Sequence, residues 1–216
     1  MAARLKVGVL VSGRGSNLQA LIDACAAPAF PAKIALVISN VANAYALERA
    51  ARARIPGMLI GHRDFADRAA FDAALDAALR GAEIDLVCLA GFMRLLTAEF
   101  VQGWAGRMIN VHPSLLPAFR GLDTHRRALA AGVKLHGCSV HFVTPGLDEG
   151  PIIAQAAVPV LADDDESSLA ARVLEQEHRL YPLALRLLAE GQVTLDGEIA
   201  KVKAAAPATA LLNPSA

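Results

Sequence analysis

The sequence predicts an α/β fold: a doubly wound, mostly parallel sheet with an antiparallel addition near the C-terminus. Three observations carry that expectation. Short apolar runs recur at 6–12 ("KVGVLVS"), 33–39 ("KIALVIS"), 84–90 ("IDLVCLA") and 107–112 ("RMINVH"). They lack polar–apolar alternation, which suits parallel strands covered on both faces. Between them, 16–26, 43–54 and 65–80 carry apolar residues at helical spacing. Strands alternating with helices imply right-handed βαβ units.

The first apolar run leads directly into a glycine turn and is too short for the core of a secretory signal, so it reads as a first strand. After Gly121 the pattern changes. A short helix, "HRRALAAG", precedes two strands, "HGCSVHFV" and "PIIAQAAVPV". Only a loop separates them, which predicts an antiparallel hairpin. A long helix follows over 165–190, its start supplied with acids and caps by "DDDES". "QVTLDGEIAKV" reads as a small final hairpin. No internal repeat or interdomain linker is visible. The organisation is one catalytic domain over 1–202 and a poorly ordered tail over 203–216.

Composition narrows the function classes. The 216 residues are 55% hydrophobic and 19% charged, so a sizeable core is available and wholesale disorder is excluded. Basic and acidic residues both number 21, which argues against an extended nucleic-acid surface while permitting a local anion pocket. No run approaches a membrane span. The three cysteines, Cys25, Cys88 and Cys138, form no CxxC pair, so neither zinc nor dithiol redox chemistry is expected. A soluble, cytoplasmic protein is the expectation.

"VLVSGRGSNLQAL" is strand, glycine turn, helix. The N–H groups at such a helix start favour an anion. A P-loop lysine is missing. The dinucleotide fingerprint also fails, because Leu18 stands at the third glycine position and the second strand ends "ISN", without an acid for a ribose diol. Two readings stand: a phosphomonoester site, preferred over NAD, or a tight turn in which Ser16 or Asn17 caps the helix.

Further on, Asn110 and His112 stand at the end of a strand. Residues i and i+2 of an extended segment share a face, so an amide and an imidazole point the same way. Ligands of open α/β sheets bind beyond such strand ends. Asp148 lies in a loop flanked by Gly146 and Gly150. A carboxylate beside an imidazole orients it and favours its charged form. Ser114 has no GxSxG elbow around it. With no evident side-chain nucleophile, transfer to an external nucleophile is the expected chemistry.

Three stretches, "SGRGSNLQAL", "NVHPSLLPAFRGLDTHRRAL" and "HGCSVHFVTPGLDEGPIIAQAAVPV", resemble the phosphoribosylglycinamide formyltransferases, the folate-dependent glycinamide ribonucleotide transformylases of purine biosynthesis. "AGFMRLLT" and "RVLEQEHRLYP" extend the match, which covers roughly residues 5–195. The resemblance implies a Rossmann-like formyltransferase fold and formyl transfer from 10-formyltetrahydrofolate, a co-substrate, to the amine of N1-(5-phosphoribosyl)glycinamide. No metal, nucleic acid or membrane is implied. The oligomeric state stays open between monomer and homodimer.

It also implies residue roles. Asn110 is the oxyanion donor, His112 the proton carrier, and Asp148 the group that tunes His112 and orders a water. Gly15, Ser16 and Asn17 hold the phosphate, and Glu177 the ribose or the amine. Arg68, Met93, Arg94, Leu95, Leu96 and Asn110 contact the folate, whose far wall is Thr144, Pro145, Gly146, Leu147 and Asp148. His141 supports the site. "SLLP" implies a cis peptide before Pro117. Leu174 departs from the family by standing where relatives often place a polar residue, and Arg14 reads as a solvated bystander. Two rivals share the chemistry: formyltetrahydrofolate deformylase, which uses water, and methionyl-tRNA formyltransferase. Both are disfavoured on chain length, the first because the catalytic strand already starts near Leu5. A non-catalytic folate-binding module is the third alternative.

Overall fold

A computed structural model describes residues 3–203 and residue 213. The fold has seven strands in mostly parallel pairing, with a separate two-stranded antiparallel ribbon. The chain forms two compact units: Met1–Asn110 with Phe142–Pro145, and Val111–His141 with Gly146–Ala216.

The first unit runs β1 (Leu5–Val11), α1 (Ser16–Ala26), β2 (Ala32–Ser39), α2 (Tyr45–Arg52), β3 (Gly57–Leu59), a 3-10 turn (His62–Asp64), α3 (Arg68–Gly81), β4 (Leu86–Leu89), α4 (Ala98–Gly103) and β5 (Met108–His112), whose last two residues open the second unit. The strands pair in parallel in the order β3-β2-β1-β4-β5, with Val9 opposite both Val37 and Cys88. Leu10, Ile38, Phe71, Leu75, Leu79, Val87, Trp104 and Met108 form the core on one side. Gly8 shows how closely α3 lies on β1, since a Cβ there would sit 2.6 Å from Leu79 Cδ2.

The expected strands and helices appear within a few residues of their predicted limits. Besides the 3-10 turn, two elements have no counterpart in the sequence reading. β3 is three residues long and all exposed, so it carries no buried period. α4 has only six residues, fewer than two turns of periodicity, and is fixed instead by Thr97, whose side chain accepts the Phe100 N–H.

The second unit contains α5 (Thr124–Ala130), the pair β6 (Leu135–Phe142) and β7 (Ile152–Pro159), α6 (Glu166–Ala189), and the ribbon β8 (Val193–Asp196) with β9 (Ile199–Val202). β6 and β7 are antiparallel, Cys138 facing Ala156, as the loop between them implied. Gly137 is required there, because a Cβ would meet the Ala156 carbonyl oxygen at 1.9 Å. α6 opens on a capping box in which Asp165 accepts the Ser168 N–H and Ser168 accepts the Asp165 N–H. Its apolar stripe includes Leu169, Val173, Leu180, Tyr181 and Leu185, with Glu177 buried among them. The tail expected over 203–216 lies, apart from residues 203 and 213, outside the described residues.

Candidate active site

In the first unit the strand ends are tied together by side chains. Gly15 is the N-cap of α1 with φ +69°, left-handed, and a Cβ there would meet Ala46 Cβ at 2.7 Å. Only glycine fits both conditions. Ser16 and Asn17 begin the helix, and the structure shows no side-chain cap at its N-cap. Ser12, just after β1, donates through Oγ to Asn40 Oδ1 at 2.6 Å and accepts the Met93 N–H at 2.8 Å. Its own N–H donates to the Gly91 carbonyl at 3.1 Å. The loops after β1, β2 and β4 are thereby one hydrogen-bonded assembly.

That assembly walls a cleft of about 300 Å³, lined by Arg14, Gly15, Ser16, Asn17, Gly91 and Met93 among others. Sequence reading missed the linking roles of Ser12 and Asn40. The absence of an acid after β2 was visible, but the need for an amide acceptor there was not.

Of the residues expected at the folate, Met93 is 68% and Leu95 61% exposed, while Leu96 packs against the core. Arg94 is half-buried. Arg68 is exposed at the first position of α3, following its Asp67 cap. Asn110 is half-buried on β5, opposite Leu89 of β4. Thr144 is half-buried and Pro145 exposed.

The second unit assembles the titratable groups. His112, 5% exposed, ends β5. Its Nε2 lies 3.1 Å from the Phe119 carbonyl, which can only accept, so Nε2 carries a proton. Nδ1 faces Asp148 Oδ2 at 3.4 Å. Both ring nitrogens therefore face oxygen acceptors, and the ring is oriented from two sides.

Asp148 has φ +51°, a left-handed conformation that an aspartate tolerates better than most residues. Its Oδ2 also accepts the Gly121 N–H at 2.9 Å, and its Oδ1 lies 3.7 Å from His141 Nε2. His112, Asp148 and His141 thus form one cluster. Gly146 and Leu147 belong to the same loop, Leu147 53% exposed.

The loop after β5 is held from the hairpin. Leu116–Pro117 is cis, as expected. Ser139 Oγ accepts the Leu116 N–H at 3.0 Å and donates to the Ser114 carbonyl at 2.7 Å. Gln155 donates to the Leu116 carbonyl at 2.9 Å. Ser114 is fully buried and donates to the Ala118 carbonyl at 2.6 Å, so its hydroxyl is a loop fastener with no nucleophilic posture.

Beside this loop, His136 Nε2 and His125 Nδ1 approach to 3.2 Å. Burial pushes the His136 imidazole down to about 4, with the charges of His125 and His112 adding to it. On α6, Glu177 is 7% exposed and lies near Cys138, whose thiol burial and the Glu177 charge push up to about 12. Leu174, one turn earlier, is half-buried. Among the described residues no group of three or more His, Cys, Asp or Glu side chains is placed to hold a metal ion, and no helix is long and apolar enough to cross a membrane.

Residues 5–185 match the formyl transferase family model. The chain belongs to the formyl transferase family. Within it, the chain is 45% identical to the phosphoribosylglycinamide formyltransferase of Haemophilus influenzae, over 90% of this chain and 92% of that protein. It is 52% identical to part of the trifunctional purine biosynthetic protein adenosine-3 of Drosophila melanogaster, covering 91% of this chain and 15% of that longer protein. The crystal structure of glycinamide ribonucleotide transformylase 1 from Symbiobacterium toebii is similar with a TM-score of 0.91 at 49% identity, over 94% of this chain and 95% of that one. The family match spans both units, so the glycine turn of the first and the His112–Asp148 cluster of the second belong to one formyl transferase chain.

Proposed function

We propose that this formyl transferase moves the formyl group of 10-formyltetrahydrofolate to the amine of N1-(5-phosphoribosyl)glycinamide, a step of purine biosynthesis. The observation that carries the reading is the near full-length similarity to phosphoribosylglycinamide formyltransferases, in a chain whose His112 is clamped between Asp148 and the Phe119 carbonyl. The trifunctional relatives' other activities are not part of it.

In this reading Gly15, Ser16 and Asn17 take the substrate phosphate on helix-start N–H groups. Glu177 receives the ribose or the amine. Met93, Arg94, Leu95, Leu96 and residues 144–148 receive the folate, and Arg68 its acidic tail. As the amine attacks the formyl carbon, negative charge develops on the formyl oxygen, and Asn110 donates to it. The bond from carbon to N10 then breaks. His112 supplies the proton that reaches N10, relayed through the water that Asp148 orders, and the proton lost by the attacking amine restores His112. Asp148, fixed by the Gly121 N–H, keeps the ring oriented for both transfers and orders a water between them. His141 braces Asp148 from its other oxygen. The enzyme is cytoplasmic and uses the folate as a co-substrate, with no metal.

The test is an absorbance assay with 10-formyl-dideazafolate, with and without the ribonucleotide. The expected result is folate conversion that depends on the ribonucleotide and yields its formylated product. Equal conversion in water alone, untouched by the ribonucleotide, overturns the reading in favour of a deformylase.

A further inference from the structure

We infer that the Arg14 side chain binds the phosphate of the ribonucleotide, adding a full cation to the backbone cradle of the glycine turn. The inference rests on the ribonucleotide reading above. Of the residues lining the 300 Å³ cleft, Arg14 alone has an ionisable side chain, and none is an acid. The space over Gly13 is open, with no atom beyond its own chain neighbours within 4 Å of where a Cβ would stand.

The charge arithmetic needs a cation. A phosphomonoester carries roughly −1.5 to −2 at neutral pH. A helix N-terminus offers only about half a positive charge. The remainder is about one to one and a half units, most of which one guanidinium supplies, in a fork geometry that matches phosphate oxygens.

Arg14 is also available for the task. Among the described residues, Arg52, Arg80, Arg120, Arg126 and Arg172 pair with carboxylates, while neither Arg14 nor Arg49 does. The Arg14 backbone is fixed by its neighbour. Arg49 Nε donates to the Arg14 carbonyl at 2.8 Å and Arg49 Nη1 to Gln19 Oε1 at 3.0 Å. The Ala46 N–H donates to the Gly13 carbonyl at 3.1 Å. Arg49, stacked over Tyr45 at 4.9 Å, is the positioning residue, and the exposed Arg14 side chain is left to the ligand.

The experiment is calorimetric titration of the full chain with ribose 5-phosphate at low and moderate salt, for wild type, Arg14→Ala and Arg14→Lys. Thermal melts confirm that the exposed substitutions leave the fold intact. Arg14→Ala is expected to weaken binding about 5- to 30-fold and flatten its salt dependence, with Arg14→Lys recovering part of the loss. The KM for the ribonucleotide should rise in parallel, and the KM for the folate should stay within twofold. Unchanged affinity in Arg14→Ala overturns the inference, and so does a wild type that does not bind ribose 5-phosphate. Intact, Arg14-dependent phosphate binding without formyl transfer removes the reaction assignment and leaves Arg14 in place.

Discussion

At the scale of single residues, charge and shape can be separated at Asp148. Asparagine tolerates the left-handed backbone there and keeps an oxygen for the Gly121 N–H, so Asp148→Asn removes the charge and little else. We expect turnover to fall by about 10² or more while the ribonucleotide still binds, measured by steady-state kinetics beside calorimetry. Activity within threefold of wild type would show that the charge is dispensable. Asn110→Ala should lower kcat by about 10²–10³ with a small effect on either KM, because its hydrogen bond strengthens as the oxyanion forms. An effect confined to KM makes Asn110 a binding residue only. At Gly15 a valine meets both a positive φ and Ala46. Gly15→Val should weaken ribonucleotide binding and spare folate binding, and equal loss of both removes the assignment of this turn to the phosphate.

At the scale of elements, the helix that carries Glu177 is anchored by its first turn. Asp165→Ala removes the carboxylate that accepts the Ser168 N–H, one of the two hydrogen bonds of the capping box. Calorimetry should show a Tm about 2–4 °C lower. The hairpin β6–β7 is less forgiving. Gly137→Ala places a methyl group inside the Ala156 carbonyl, so the strands must part. The hairpin also supplies Ser139 and Gln155, which fasten the loop after His112. The expected outcome is destabilisation of more than about 3 kcal/mol in denaturant titration, with catalysis lost alongside. A folded, active Gly137→Ala would mean that the strands part at that point without disturbing the loop.

At the scale of the whole molecule, stability depends on pH through groups held away from their ordinary titration range. His136 is held neutral down to about 4, chiefly by burial, whereas an unfolded histidine takes its proton near 6.5. Between those values the unfolded chain binds the extra proton, so stability falls as pH drops from about 6.5 toward 4. Asp164 acts below that. Its hydrogen bonds from Arg172 hold the carboxyl well below the usual range, so its contribution is present above about 4 and is lost as pH falls further. Urea titrations at pH 7, 5.5 and 4.5 should show the midpoint falling stepwise. His136→Gln should flatten the decline between 6.5 and 4, and a slope equal to wild type would assign the effect to other groups.

Along the chain, patterns of local origin were legible without coordinates. The apolar runs at 6–12, 33–39 and 107–112 and the helical spacing at 16–26 fixed strand and helix, because burial on two faces or one leaves a period in the residues themselves. The glycine turn, the Asn110–His112 strand end and the Asp148 loop stand out by residue type, but only the family resemblance groups them into one site. The His112–Asp148 approach follows that reading at 3.4 Å. Elements too short to repeat a period, β3 and α4, left no such trace. Other features depended on residues brought together from distant positions. Ser12 linking Asn40 to the Met93 backbone, Ser139 and Gln155 fastening the Leu116 backbone, and the His125–His136 contact each join groups that look unremarkable alone. A local sequence records which face of an element is buried, but a hydrogen bond across loops needs both partners in place, and only the tertiary fold decides that.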